Sequence, residues 1–328
     1  SSFFQFVKFC VYISILTPGY GQWSASTGEI RLAIDSGIEK VDYNGEKYIV
    51  HPAFETNFEN GGWDKDLAGM WVAKFEANGT GTNLKFTYGV QSTRNQTIGT
   101  QYTSARQATY GYIGQKGEDE NTSFMNSHMM KNSEWGAVAY LAHSKYGLDG
   151  KEIARNDNSS YYTGGGTGEA YKTNINQSST GNVYGIYDLS GGAIEVVAAF
   201  CSRDFNGYFS KYGWTTSTGL TTDSESTKFA TKYYTVGMYY GNTAICRVGK
   251  VGDATKEVNK GGIAGKGDNY GYSNWFDAYS YITYDYHPFI TRGGEAHSGG
   301  NSAGLFNSNM QTGGSGSLYS FRAVLETT

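Results

Sequence analysis

Thiols, carboxylates, imidazoles and phenols are the side chains through which this sequence could do chemistry, and most of them stand in patterns that exclude common reactions. The three cysteines, Cys10, Cys201 and Cys246, are too few for a disulfide framework and form no CxxC pair of the kind that holds structural zinc. Buried free thiols are expected at Cys201 and Cys246, with a bridge between them the open alternative. His51 sits beside Pro52, and His128 and His143 lack partners at metal-ligand spacing. Asp64 with Asp66, and Asp285 with His287, are close in sequence and read as surface or turn residues. No phosphate-cradling P-loop and no GxGxxG opening a helix is found. The net charge of −4, with both signs interspersed, leaves no basic stripe to track a phosphate backbone, so nucleic acid is not an expected partner.

What stands out is a surface suited to recognition. The chain carries 46 Gly and 28 Tyr but only 3 Pro, and 17% of its residues are charged, which points to many turns, short strands and long ordered loops. Tyrosines gather between Tyr270 and Tyr286, and a polar stretch follows Gly294. Tyr offers large contact area with few rotors, while Asn, Ser and Gly supply adaptable hydrogen bonds. The candidate binding residues are therefore Tyr279, Tyr281, Tyr284, Tyr286, Glu295, His297, Asn301, Asn307, Asn309 and Gln311, with 295–311 taken as a long polar loop.

The elements that would position them can be read in outline. Residues 1–28 form an apolar arm (SSFFQFVKFCVYISIL) and a Gly/Ser-rich linker. At about 14 residues the apolar part is short for a membrane span of ~20, and an assembly arm packing on neighbouring subunits is the favoured reading, over a trimmed anchor or a piece of core. Residues 29–50 carry Asn44-Gly45 between strand-like flanks, the pattern of a tight β-hairpin. The main domain spans 51–328, with insertions near 148–181 and 200–260. Met70–Phe75 reads as a buried strand, and 95–117 as loop. A helix follows, capped by Ser127 or Asn132, with Trp135, Val138, Leu141 and Ala142 on one face and Gly147 at its end. The polar run 148–181 reads as a surface loop. Asn182–Val197 (NVYGIYDLSGGAIEVV) reads as a turn feeding a buried strand, with the carboxylate of Glu195 at its start.

That last stretch resembles the YGLYDMSGNVWEW signature of the formylglycine-generating-enzyme superfamily. Ser133-Glu134-Trp135 with Ala137, Ala139 and Ala142 resembles its EAEWEYAAR helix. Arg292-Gly293-Gly294 and Ser320-Phe321-Arg322 resemble its RGG…GFR ending, and Leu67–Ala77 resembles the strand leading into the fold, a strand familiar from phage and prophage tail proteins. The resemblance covers Trp63–Leu325 and implies an α+β, C-type-lectin-like domain.

The resemblance also implies a catalytic cysteine pair after the RGG motif. None is present, since Cys246 is the last thiol in the chain, and Ser or Gly cannot replace a thiolate nucleophile or copper ligand. It further implies a calcium site at the GNVWE turn. Gly192 stands where the family has Asn, leaving Glu195 and backbone carbonyls as hard ligands for a weak calcium site; the alternative is a buried carboxylate accepting backbone amides. The expected function is non-catalytic. It is that of a phage or prophage virion protein, on a virion or extracellular surface, homo-oligomeric through its arm, binding a bacterial surface receptor or glycan. A structural subunit of a filament or capsid decoration is the alternative.

Overall fold

The structure is a computed structural model and describes residues 6–10, 12–14, 40–43, 46–67, 69–107, 126–143, 147–148, 151–181, 185–215, 226–234, 249–250, 252–255, 281–296 and 303–326. In chain order its elements are β1 (Phe6–Cys10), β2 (Tyr12–Ser14), β3 (Lys40–Tyr43), β4 (Glu46–Val50), β5 (Gly69–Ala73), α1 (Ile98–Gln107), β6 (His128–Met129), α2 (Asn132–His143), α3 (Ala170–Thr173), β7 (Ile194–Cys201), α4 (Tyr208–Lys211), β8 (Thr231–Tyr233), β9 (Phe289–Gly294), β10 (Ala303–Gln311), β11 (Tyr319–Phe321) and β12 (Ala323–Glu326). The class is α+β, with three sheets and few helices among the described residues.

A four-stranded sheet runs β1-β5-β12-β6, so a strand near the chain's end lies beside one from its first quarter, with Val324 opposite Val72. A second sheet runs β10-β9-β7-β11, with β8 also paired to β7, and a third runs β2-β4-β3. Strands β3 and β4 pair antiparallel as far as Tyr43 and Glu46, as the hairpin reading requires; Asn44 and Gly45 themselves lie outside the described residues.

Side-chain alternation splits the interior into two apolar cores, one on each face of the strands. Val197 and Ala199 of β7 face a core with Trp135, Val138 and Ala142 of α2, joined by Val72, Ile290 and Val324. Val196, Ala198 and Phe200 face the other, with Ile98, Tyr102 and Ala105 of α1, Trp214, Phe289 and Leu325. Burial on both faces explains why β7 reads IEVVAAFC without a polar interruption after Glu195.

Four readings change. Residues 98–107, taken as loop, form α1; Ile98, Tyr102 and Ala105 stand four and three apart, so the apolar stripe is present but thin in a polar decapeptide. Residues 303–311, taken as polar loop, form β10 paired to β9 from Ala303↔Gly294 to Gln311↔Phe289. The run 151–181 is stitched inward: Asn156 and Thr163 are buried, and Gly89 N donates to Thr163 O at 2.9 Å. The apolar arm supplies β1, which pairs with β5 of its own chain, and β2, which pairs with β4.

The cap of α2 also differs. Glu134 Oε2 accepts from Lys131 N at 2.8 Å, closing the helix start from its first turn. Asn132 instead bonds Tyr233 and Arg292, and Ser127 donates to Ala105 O. The helix ends at His143, four residues before the expected Gly147, and Leu148 N donates to Ala142 O at 2.7 Å.

Candidate functional site

The described part of the signature stretch, 185–197, builds a buried ionic centre. Gly191 and Gly192 have φ of +81° and +72°, and a Cβ on Gly192 would overlap Glu76 Oε1. That oxygen accepts from Ala193 N at 2.9 Å. Asp188, itself at φ +66°, accepts from Asn156 Nδ2 and Gly164 N, both at 2.8 Å. Arg322 reaches back from between β11 and β12. Its Nη2 donates to Glu195 Oε1 at 2.7 Å and to Tyr187 O at 2.7 Å, its Nη1 to Ala73 O at 2.7 Å, and its Nε lies 3.1 Å from Glu195 Oε2.

Three carboxylates therefore surround one guanidinium, all of them almost wholly buried. Burial, helped by Asp188 and Glu195, raises Glu76 well above the usual carboxylate range. Burial likewise pushes Asp188 up to about 6 against the pull of its hydrogen bonds and Arg322, and raises Glu195. Glu195, read from the sequence as either a buried carboxylate or a weak calcium ligand, is the anion of this ion pair, with both its oxygens facing Arg322. Among the described residues no group of three or more His, Cys, Asp or Glu is arranged to hold a metal ion.

The stretches that resemble the superfamily meet here. Glu195 lies opposite Arg292 in register, Gly191 N donates to Gly293 O at 3.0 Å, and Trp135 Nε1 donates to Leu305 O at 2.8 Å. Arg292 is fully buried. Its Nε donates to Asn132 Oδ1 at 2.8 Å and its Nη2 to Asp253 O, while Tyr233 OH donates to Asp253 Oδ2 at 2.7 Å. A second buried set joins Glu134 to His128 Nε2 at 2.9 Å and to Lys131 Nζ at 3.7 Å. His51 Nε2 lies 2.6 Å from Gly252 O, and burial lowers its pKa to about 4. These groups bond one another inside the core, the arrangement of a structural spine.

Concavity lies elsewhere, where the end of β7 meets the Tyr284–His287 turn. An open cleft of about 680 Å³ is lined by Ser202, Arg203, Asp204, Phe205, Phe209 and Asp285, with Gly207 and Ser210 completing its wall. The turn is closed by His287 N donating to Tyr284 O at 2.9 Å, with Thr283 Oγ1 donating to His287 O at 2.7 Å. Phe205 N donates to Asp285 O at 3.0 Å and Cys201 N to Pro288 O at 2.8 Å, so loop and turn are tied along their backbones. Asp204 Oδ2 accepts from Phe209 N at 2.6 Å and fixes the start of α4.

Phe205 stands at the lip, 69% exposed, and its ring lies tilted against Tyr286 at 36°, with centroids 4.8 Å apart. Tyr286 leans on Tyr284 at 5.9 Å, and Tyr284, stacked on His287 at 5.2 Å, is buried and shares a 2.9 Å hydrogen bond with its Nδ1. Cys201 is a free, buried thiol whose Sγ donates to Arg203 O at 2.5 Å; burial first, then Asp285 and Asp204, push it up to about 12, which keeps it an inert thiol. Cys246, its expected alternative partner, lies outside the described residues.

None of the described candidate binding residues lines this cleft; Tyr286 touches it only through its ring contact with Phe205, and Tyr284 packs against Tyr286. Tyr281 is half-buried on β10, its N donating to Ser308 O at 2.7 Å. Glu295 is half-buried just after β9, close enough to raise Tyr161 and Tyr319 after burial does. Asn307 and Gln311 are buried in β10 and Asn309 is half-buried, because the stretch pairs as a strand. They are corrected from loop contacts to strand residues. Tyr279, His297 and Asn301 lie outside the described residues. Arg203, Asp204 and Phe205 were not singled out from the sequence; the run Arg203-Asp204-Phe205-Asn206-Gly207, an aromatic among turn formers, is the local signal that marks them. The Gly-x-Ser-x-Gly spacing at 300–304 leads into β10, a strand, where a nucleophile elbow needs a helix.

No family model matches this chain, and no curated protein matches it. Among the described residues no helix is long and apolar enough to cross a membrane.

Proposed function

We propose that the chain is a non-catalytic recognition protein on a C-type-lectin-like scaffold, carried on a phage or prophage particle or an extracellular surface, and that it binds a bacterial surface receptor or glycan. The observation that carries this reading is Phe205, a large aromatic that stays 69% exposed while its ring leans on Tyr286 at the lip of a cleft of mixed polarity. An apolar ring kept in water beside a concave surface is a mark of binding sites. The likeness to the formylglycine-generating-enzyme superfamily is supported by contact between its stretches: Glu195 with Arg322, Gly191 with Gly293, and Arg322 with Ala73 O. The buried ionic centre has the character of a keystone, and the missing cysteine pair removes the chemistry that the family's oxidase performs there.

The second reading, a structural subunit of a filament or decoration, is favoured by one observation. β1 is an outer strand of its sheet among the described residues, and an unpaired strand edge is a template for a neighbouring chain. Labelled full-length chain titrated onto a panel of bacterial cells separates the two. Saturable binding to some strains and not others supports recognition. Indifference to every strain, together with concentration-dependent growth of the oligomer, supports the structural role.

A further inference from the structure

Resting on that recognition reading, we infer that the cleft between 202–210 and the Tyr284–His287 turn is its ligand site and takes a neutral pyranose ring, stacked on Phe205.

The inference follows from what each wall offers. Phe205 presents an open aromatic face, the partner of the C–H face of a sugar ring. Its backbone tie to Asp285 and its tilted ring contact with Tyr286 hold that face in place before any ligand arrives, which lowers the ordering cost of binding. The polar lining is mixed. Asp285 accepts, the exposed Arg203 donates, and the Ser202 and Ser210 hydroxyls do both. A ring bearing several hydroxyls can use all three kinds, since each hydroxyl donates and accepts. An anionic ligand is disfavoured because Asp204 and Asp285 both line the cleft against the single cation Arg203, and in a partly desolvated cleft like charges repel. This argues against phosphate-bearing ligands and acidic sugars. The volume of about 680 Å³ lies within the roughly 300–1,000 Å³ range of small-molecule sites and leaves room for more than one ring.

The division of labour is specific. Phe205 contacts the ligand. Tyr286 positions Phe205, and the buried Tyr284 with His287 positions Tyr286. Truncating Phe205 should leave the fold intact, because most of its ring is already in water.

The test is saturation-transfer NMR and calorimetry on the full chain with methyl glucoside, methyl galactoside, methyl mannoside, lactose, cellobiose and sialyllactose, alongside Phe205→Ala, Phe205→Tyr and Arg203→Ala. At least one neutral sugar should bind. F205A should weaken it about tenfold or more, the size of a lost aromatic stack, with F205Y close to wild type. Sialyllactose should bind more weakly than lactose. Binding unchanged in F205A at an unchanged Tm, sialyllactose preferred to lactose, or no neutral sugar bound at all would each overturn the assignment. If wild type and F205A bind cells alike, this site is wrong while the recognition reading stands. If wild type binds no cells, that reading fails first.

Discussion

Arg322 faces three buried carboxylates and pairs fully with only one, Glu195. Glu76 accepts from Ala193 N, and burial with the nearby charges of Asp188 and Glu195 raises its pKa well above the usual carboxylate range. The sign of the linkage follows. A carboxyl whose folded pKa lies above its unfolded value contributes stability below the unfolded value, and that contribution is lost as pH rises through the folded one. For Asp188 the loss runs from its ordinary 3.8 to about 6, and for Glu76 it extends from 4.5 well upward. His51 opposes this. Its folded pKa of about 4 lies below 6.5, so its contribution is present above 6.5 and lost as pH falls. The difference between two variants therefore reports Glu76 more cleanly than a single profile. Glu76→Gln should match wild type near pH 4 and gain about 2 °C or more in Tm by pH 8. A Tm difference independent of pH would mean that Glu76 titrates normally. Glu195 was legible in the sequence as a buried carboxylate at a strand start. Its partner was not, because Arg322 lies 127 residues away and only the sheet brings them together.

Among elements, α2 shows packing overriding local preference. Gly136 sits mid-helix, where Ala would be favoured by about 1 kcal/mol on propensity alone. A Cβ there would fall inside the backbone carbonyl of Gly252, and overpacking a rigid contact costs ~1–3 kcal/mol or more. The clash wins, so Gly136→Ala should lower Tm by several degrees; a raised Tm would show that the 252–255 segment yields easily. Helix α2 and the β3–β4 hairpin were readable because their signals are local: Trp135, Val138 and Ala142 at helical spacing, and Asn44-Gly45 between strands. Helix α1 was not, since only Ile98, Tyr102 and Ala105 mark it among polar neighbours. Strand β10 hid for a related reason. Its Asn307 and Ser308 are buried between β9 and the Tyr281 segment, where Ser308 Oγ donates to Tyr281 O at 2.7 Å, so polarity there signals satisfied pairing and not solvent.

At the scale of the whole molecule, the sheets tie the two ends of the chain together. β1 and β12 flank β5, and β2 closes the small sheet on β4. The sequence suggested an arm apart from the domain because its apolar run is followed by a Gly/Ser-rich linker; strand pairing across some 60 residues carries no local mark. Removing residues 1–14 strips β1 and β2 together. Tm should fall, and on the proposal that this segment also serves assembly, light scattering should report a smaller oligomer. An unchanged Tm and mass would remove both roles. The cleft was only half legible. Tyr284 and Tyr286 marked the turn that carries the lining residue Asp285, while Phe205 and Asp204 arrive from the far end of β7, and no spacing rule links 205 to 286. Recognition of a surface glycan is the central claim. It is tested most directly by titrating labelled full-length chain onto bound bacterial cells before and after mild periodate oxidation of their surface sugars. Saturable binding that periodate abolishes is the predicted result; binding that survives periodate, or none to any strain, would contradict it.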